Sequence, residues 1–284
     1  FINMLYNIVD RIYIGNIPGT GALALTGVGV TFPIILLVSA FAAFAGMGGA
    51  PLASIQLGAG NREGAEKILG NCFSMLLVLS VTLTVIFSIF KTPLLYMFGA
   101  SDAIIGYAED YISIYLAGTI FVQLALGLNT FISAQGHATV AMLSVLIGAV
   151  INIVLDPVFI LLLHQGVAGA AWATVIGNFF AVVYYLTVYL RGKTTLSIAP
   201  KDCRPSARIF REVLKIGLPS SIAQIVMSVA NILTNNLAKA YGDNVISAFG
   251  VAGKVLVMVV MIIMGYVSGY MPFAGYNYGA RNTH

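Results

Sequence analysis

Charged side chains are scarce in this sequence. Asp, Glu, Lys and Arg make up only 8% of its 284 residues, whereas a soluble domain carries about 25%. Hydrophobic residues reach 59%, and the mean hydropathy is +0.95. This shortage of charge excludes an ordinary soluble domain and predicts an all-α integral membrane protein that lies in a lipid bilayer.

Cysteine and histidine are also rare, with two and three residues respectively. Cys72 and Cys203 fall on the side that is assigned below to the cytoplasm, where disulfides are rare. His137, His164 and His284 lie singly in predicted loops, and no zinc-protease, nucleophile–base or phosphate-binding motif occurs. We therefore expect no enzyme activity, no cofactor and no metal centre.

Long apolar runs are what the sequence does have. Runs near or above 20 residues recur along the chain, which predicts membrane-spanning helices and not a β-barrel. Eight segments are predicted, at residues 1–17, 22–57, 67–90, 104–134, 139–163, 167–190, 216–241 and 245–278. The first begins inside an apolar run without an initiator Met, so we expect the chain to be part of a longer protein.

The second segment is too long for a simple crossing. At 1.5 Å per residue it measures about 54 Å, against a hydrocarbon core of about 30 Å. We expect it to protrude from the membrane, to bend at Pro33, or to unwind near Gly48 and Gly49.

The distribution of basic residues predicts the orientation. Ten of the fourteen lie in or beside the loops after helices two, four, six and eight: Arg62, Lys67, Arg191, Lys193, Lys201, Arg204, Arg208, Arg211, Lys215 and Arg281. By the positive-inside rule these loops face the cytoplasm of a multi-pass cell-membrane protein. The net charge of +4 therefore indicates topology, and we expect no nucleic-acid partner.

An internal repeat gives the domain organisation. Residues 51–61 align without gaps on residues 272–282, with identity at Pro51, Ala53, Gly58, Ala59 and Asn61. The copies end helices two and eight, six helices apart, so they share one orientation, as in transporters with parallel repeats. The sequence predicts a six-helix lobe at 1–190, a cytoplasmic linker at 191–215 and the first two helices of a second lobe at 216–284. A simpler interpretation of the linker's charge is a solvated loop that touches anionic lipid.

Polar residues inside the fifth segment indicate a functional site. Asn152 and Asp156 are four residues apart, so they lie on one helix face, and Pro157 favours a bend beside them. An ionisable residue inside a membrane is costly and usually functional. The sequence therefore predicts a small polar pocket here, although Asp156 could instead cap backbone groups freed by Pro157.

Four motifs in this sequence, at residues 7–15, 58–61, 152–157 and 275–280, occur in an order and spacing typical of one family. Through them the sequence resembles the multidrug and toxic compound extrusion (MATE) transporters. The resemblance implies a twelve-helix protein of two six-helix lobes, which exports drugs or organic cations against an inward flow of H⁺ or Na⁺. This chain would supply the N-lobe, the linker and two helices of the C-lobe, with the remaining C-lobe helices as its partners.

The resemblance also implies a coupling site. The family's N-lobe cation site falls here on Asp10, Asn152, Asp156 and Thr174. Counting residues to the helix ends puts Asp10, Asp156 and Thr174 at a similar depth, roughly 10 Å below the outer surface. The seventh helix carries no carboxylate, which resembles the DinF-type branch, whose coupling ion binds only in the N-lobe.

Four further residues are weaker candidates. Asn7 shares a helix face with Asp10, while Asp10 itself could be a surface residue paired with Arg11. Asn178, like Thr174, could serve only as a hydrogen-bonding contact between helices. Lys254 could be a gate or a partner for substrate charge, or could pack on the other lobe. Tyr111 could line the cavity, but we favour a place in the aromatic belt at the membrane surface.

Drug or cation antiport is therefore the expected function. Asp10 and Asp156 should face each other and hold a proton near neutral pH, with Asn152 and Thr174 either hydrogen-bonding the neutral form or ligating Na⁺. The alternative is a lipid-linked oligosaccharide flippase of the same superfamily, which should have a basic central cavity for pyrophosphate.

Overall fold

The computed structural model describes residues 2–239, 260 and 263–282, and it is helical throughout its regular elements. Four described helices are long and apolar enough to cross a membrane, and a bent pair makes a fifth span. The protein is thus a polytopic helical membrane protein, as predicted. Its helices are α1 Ile2–Gly15, α2 Gly21–Gly58, α3 Arg62–Met97, α4 Ile105–Ala117, α5 Thr119–Ala134, α6 Ala138–Pro157, α7 Gly166–Leu190, α8 Ala207–Lys239 and, over 263–279, α9.

Helix α2 is the central element of the bundle. It packs against α3, α4, α5 and α8, while α6 pairs with α7 and α1 lies on α6. The core has two buried apolar clusters, one around Leu69 and Phe131 and one around Ile112 and Leu116. Phe131 lies near the linker and Ile112 near the opposite end, so each half of the bundle has a core of its own.

The predicted unwinding of α2 at Gly48 and Gly49 is wrong. The helix runs without interruption for 38 residues, through Pro33 and Pro51, which is about 57 Å at the standard rise. Gly48 and Gly49 allow neighbouring helices to pack closely against α2, because a Cβ atom on Gly49 would lie 2.4 Å from the Cys72 sulfur. These glycines bring neighbouring helices close to α2.

The predicted fourth segment is two helices, not one. Helices α4 and α5 meet at Gly118 with a bend of 58°. A Cβ atom on Gly118 would lie 2.3 Å from a methyl carbon of Val175, so the bend brings the backbone directly onto α7. Hydropathy missed the bend because Gly118, the residue between the two helices, also occurs in straight membrane helices.

Two helices start earlier than predicted. The Asn61 side chain accepts a hydrogen bond of 3.0 Å from the Gly64 amide and caps α3, which begins at Arg62 and not at Lys67. Helix α8 begins at Ala207 and not at Ile216. Six of the nine residues at 207–215 are good helix formers, and the basic side chains of Arg208, Arg211 and Lys215 are exposed on one face.

The polar stretch before α8 folds back onto the bundle. Thr194, Leu196 and Asp202 are buried. The Leu196 amide donates to Gln135 Oε1 at 2.9 Å, and the Ser197 amide donates to Glu66 Oε1 at 3.1 Å. Residues 194–206 are therefore partly packed on the bundle, while the charged side chains of Lys201 and Arg204 in this stretch remain exposed.

The two copies of the internal repeat end in the same way. Asn61 donates from its side chain to Gln56 at 2.8 Å, and Asn282 donates to Asn277 at 3.2 Å. Backbone φ is positive at Gly60 and at its counterpart Arg281, at 76° and 55°. The repeat found in the sequence is thus also a repeat of local structure.

Contacts between the ends of α2 and α9 are reciprocal. A Cβ atom on Gly58 would lie 1.9 Å from the Tyr276 carbonyl oxygen, and one on Gly279 would lie 2.0 Å from the Ile55 carbonyl oxygen. Gly58 and Gly279 are equivalent in the repeat, as are Ile55 and Tyr276. A local two-fold axis between two equivalent surfaces generates this pattern.

Candidate functional site

The site starts from a close approach of α6 and α7. A Cβ atom on Gly177 would lie 2.7 Å from the Gly148 carbonyl oxygen, and one on Gly148 would lie 3.2 Å from the Gly177 carbonyl oxygen. Only small residues allow two helix backbones to come this close. Asn152 follows Gly148 by one turn and Thr174 precedes Gly177 by one turn, so both side chains lie at this crossing.

Asn152 connects the two helices. Its Nδ2 donates to Thr174 Oγ1 at 3.3 Å and to Asp156 Oδ1 at 3.4 Å. Asn178 Nδ2 donates to the Thr174 carbonyl oxygen at 2.9 Å, so Asn178 braces α7 behind Thr174. The structure therefore brings Asn152, Asp156 and Thr174 together.

Asp10 adds a second carboxylate from α1. Asp10 and Asp156 are 6% and 0% exposed, and they are near enough for their charges to interact. Arg11 is exposed, and the described residues contain no Asp10–Arg11 ion pair within 4 Å. Asp10 is thus a buried member of the site and not a surface residue.

Asp156 lies at a break in regular helix geometry. Helix α6 ends at Pro157, and a π-helical turn, Val158–Leu162, follows it. Proline has no N–H to donate to the preceding turn, and π-helical turns are common at functional sites. At Pro157 the structure thus changes from α-helical to π-helical geometry within one span, Ala138–Leu162.

Three acceptor oxygens in the site lack a donor. Among the described residues, Asp10 Oδ1, Asn152 Oδ1 and Asp156 Oδ2 are buried and have no hydrogen-bond partner. Buried polar atoms are nearly always paired in folded proteins, and unpaired oxygens accept a proton or ligate a cation. Within the described part of the chain, no group of three or more His, Cys, Asp and Glu residues forms a metal site.

Tyr111 belongs to this region and not to an aromatic belt. It is 5% exposed and lies next to Asp10 and Thr174. The membrane-surface interpretation of Tyr111 is therefore wrong. Of the other candidates, the side chain of Asn7 and the whole of Lys254 lie outside the described residues.

A cavity of about 360 Å³ adjoins the site. Asn152, Thr174 and Asn178 line one end of it, and Asn129, Ser144 and Tyr185 line another part. The remaining lining is mostly small or apolar, and no Lys or Arg of the described chain is among the lining residues. The cavity has the apolar walls and few polar groups that are typical of small-molecule sites.

Sequence reasoning missed the second polar group of this cavity. Asn129 Nδ2 donates to the Tyr185 hydroxyl at 2.6 Å, and Ser144 also hydrogen-bonds that hydroxyl. The periodicity could have revealed it, because Ser144, Gly148, Asn152 and Asp156 repeat every four residues on α6. Thr174, Asn178 and Tyr185 likewise share one face of α7.

A family profile and curated proteins match most of this chain. The sequence profile described as MatE matches residues 1–158 and 219–284. A similar curated protein is the multidrug export protein MepA of Staphylococcus haemolyticus (strain JCSC1435), which is 29% identical over 282 residues, 99% of this chain and 62% of the relative. The chain thus spans less than two thirds of that relative's length.

Solved structures are similar over the same extent. A crystal structure of MATE in the bent conformation has a TM-score of 0.92 and 31% identity, over 99% of this chain and 62% of that one. An outward-facing multidrug resistance MATE family transporter of the MOP superfamily has a TM-score of 0.91 and 30% identity, with the same coverage.

Proposed function

Because the chain belongs to the MatE family, whose members are transporters and not enzymes, we propose that it carries the ion-coupling lobe of a multidrug exporter. In this proposal, an inward flow of H⁺ or Na⁺ drives the export of drugs or organic cations. Asp10, Asn152, Asp156 and Thr174 bind the coupling ion. The name of the curated relative, a multidrug export protein, supports the substrate class.

The unpaired acceptor oxygens of Asp10, Asn152 and Asp156 are the observation that carries this proposal. Two carboxylates held close together in a low-dielectric site repel each other and lack solvation, so neutralising charge stabilises the site. A proton supplies that charge, and so does a Na⁺ ion coordinated by oxygens. The absence of carboxylates from residues 216–241 supports the DinF-type branch, with the ion in the N-lobe alone.

Ion binding is coupled to transport through the helices that carry the site. Asp10 is on α1, Asp156 is on α6, and Thr174 is on α7, so neutralisation changes the forces between three helices at once. The neighbouring cavity of about 360 Å³ receives the drug. Movement of α1 toward α6 after ion entry reduces the space beside the site and expels the drug.

The reciprocal contacts of α2 and α9 support the two-lobe organisation. Residues 1–190 form the N-lobe, residues 191–215 form the linker, and residues 216–284 begin the C-lobe. The basic loops of the linker side face the cytoplasm in this proposal. Gly58 and Gly279 then hold the two lobes together at the cytoplasmic end, which agrees with a state open to the outside.

A lipid-linked oligosaccharide flippase is the weaker candidate. Such a protein needs basic residues beside the diphosphate of its substrate, whereas the described cavity beside the site has Asn, Ser, Thr and Tyr as its polar lining. A drug with a delocalised positive charge fits this lining better.

Asp156→Asn tests the proposal in the full-length protein. Drug movement in proteoliposomes after a jump in pH or Na⁺ should fall at least about tenfold, because the amide carries no charge for the ion to neutralise, and a loss of ~1.4 kcal/mol in ion binding already corresponds to a factor of ten. Asp10→Asn should do nearly the same, and Thr174→Ala should weaken coupling only in part.

Asp202→Asn is the matched control. Asp202 is 4% exposed, and its Oδ2 also lacks a partner among the described residues, but it lies in the linker. Its substitution should leave coupled transport near the parent rate. If Asp156→Asn responds to the ion jump like the parent protein, the ion binds elsewhere and the site assignment is wrong.

A further inference from the structure

A second cavity, of about 500 Å³, lies between α3 and the start of α8, away from the ion site. Its lining is almost entirely apolar in character and comes from two stretches of chain: Asn71, Cys72, Ser74, Met75, Val78 and Leu79 on α3, and Pro205, Ser206, Ala207, Ile209, Phe210 and Val213 before and within α8. Its volume is larger than that of the cavity beside the ion site. The proposed transport mechanism gives it no role.

The cavity opens toward the lipid-facing side of the bundle. Two of its lining residues, Val78 on α3 and Phe210 on α8, are 65% and 48% exposed, so the cavity is open at this surface. Below Val78, α3 continues with the exposed apolar residues Val81, Val85 and Ile89. In a membrane protein such a continuous apolar surface faces acyl chains, so the cavity is continuous with the hydrocarbon of the bilayer.

The walls of the cavity are already in place. Ser74 Oγ donates to the Cys203 carbonyl oxygen at 2.7 Å, and Asn71 accepts from the Ser206 amide at 2.7 Å. Asn71 Nδ2 also donates to the Asp202 carbonyl oxygen at 3.2 Å. Because these polar groups are satisfied, an apolar chain can enter without breaking a hydrogen bond.

Basic residues lie at the linker end of the cavity. Lys201 and Arg204 are exposed, and Arg204 directly precedes the lining residue Pro205. In the described chain the ion pairs within 4 Å are Arg62–Glu66, Lys67–Glu63 and Arg208–Glu212. Lys201 and Arg204 take part in none of them. Lys201 is near enough to Glu63 for their charges to interact, and both basic side chains are exposed to an anionic ligand.

We propose that this cavity binds an anionic phospholipid from the leaflet on the linker side. One acyl chain lies in the cavity between Val78 and Phe210, and the phosphate contacts Lys201 and Arg204. Basic pockets beside membrane helices are typical sites for anionic head groups. A peptide would bring unpaired backbone groups against a dry apolar wall, which is costly, so lipid is the better occupant.

Tryptophan quenching tests the site in the full chain. Trp172 is the only tryptophan, so Phe210→Trp in a Trp172→Phe background places a single reporter at the opening. In nanodiscs, brominated-chain phosphatidylglycerol should quench this reporter more strongly than brominated-chain phosphatidylcholine. A basic residue near a membrane surface is worth about 1 kcal/mol, so we expect roughly a fivefold preference per residue.

Substitution of the basic residues should remove that preference. Lys201→Gln with Arg204→Gln should bring quenching by phosphatidylglycerol down to that by phosphatidylcholine. Arg191→Gln with Lys193→Gln is the matched control, because both residues are exposed and basic but precede the folded part of the linker. The control pair should keep the preference.

Three outcomes would overturn the proposal. They are equal quenching by the two lipids, a preference that survives the Lys201 and Arg204 substitutions, and a reporter that neither lipid quenches, which indicates a protein segment in the cavity. Val78→Trp provides a second reporter at the opposite edge, so a folding defect of Phe210→Trp would not leave the question open.

Discussion

Asn152 is the residue on which the geometry of the proposed ion site depends. Its amide reaches both Thr174 and Asp156, while its own carbonyl oxygen has no donor among the described residues. An apolar side chain could not replace this amide, because it would neither donate nor accept a hydrogen bond. The side chain therefore connects α6 to α7 and keeps one buried oxygen free, which is the ligand that the proposed ion site requires.

Tyr185→Phe should destabilise the protein without changing its shape. The substitution removes the hydroxyl that accepts from Asn129 and bonds to Ser144, and the loss of such a buried hydrogen bond costs about 1 kcal/mol. We expect a lower melting temperature in detergent. Tyr184 is a half-buried neighbour, and Tyr184→Phe should have the melting temperature of the parent protein. If both variants have that melting temperature, the Tyr185 hydroxyl does not contribute to stability.

The sequence predicted the charged part of the site better than the neutral part. Asp10 and Asp156 stand out because a carboxylate in hydrocarbon is rare and costly. Ser144 and Tyr185 do not stand out, because hydroxyl residues are common in membrane helices and cost little there. Their role follows only from the angle at which α5, α6 and α7 meet, which the sequence does not specify.

At the scale of elements, glycines determine which helices touch. Hydropathy predicted the apolar segments but could not predict the bend at Gly118, since glycine is tolerated in straight membrane helices as well. It also placed the start of α8 too late, because charge alone suggested a loop where helix propensity was high. The sequence does not show which helices approach each other at Gly148, Gly177, Gly58 and Gly279, because glycine alone does not specify its neighbour.

Gly177→Ala should weaken ion coupling through the backbone. The new methyl group would lie 2.7 Å from the Gly148 carbonyl oxygen, so α6 and α7 must separate and the Asn152–Thr174 bond must lengthen. Overpacking of this kind costs about 1–3 kcal/mol. Gly106→Ala on α4 is the control, because its new Cβ atom would have no neighbouring atom within 4 Å. In transport assays, coupling should fall in Gly177→Ala and stay at the parent level in Gly106→Ala. Normal coupling in Gly177→Ala would mean that this crossing does not position the site.

Gly58→Ala should open the linker end of the molecule. Its methyl group would lie 1.9 Å from the Tyr276 carbonyl oxygen, a distance that neither backbone can accommodate without moving. Spin labels at Glu63 and Tyr278 should report a longer distance by pulsed electron resonance, and Gly279→Ala should act in the same direction. Gly269→Ala on α9 meets nothing within 4 Å and should leave the distance unchanged. An unchanged distance in Gly58→Ala would contradict the closure.

At the scale of the whole molecule, the proposed two-lobe organisation requires the lobes to move against each other for transport. The chain matches 62% of the length of its relatives, and its second half contributes α8 and α9. We therefore expect residues 1–284 expressed by themselves to export no more ethidium than an empty vector, while still binding the coupling ion. Robust efflux from this chain as a monomer would contradict the two-lobe proposal.

Helix α7 connects the region of Thr174 to the linker at the other end of the helix. It runs unbroken from Gly166 to Leu190, with Thr174 at the proposed ion site near one end. Near the other end, the Tyr189 hydroxyl accepts a hydrogen bond of 3.1 Å from Gln135, whose side-chain oxygen accepts from the Leu196 amide of the linker. Thermodynamic linkage makes such a connection symmetrical. If a bound ion raises the equilibrium constant for forming the Tyr189–Gln135–Leu196 junction, formation of that junction raises the affinity for the ion by the same factor.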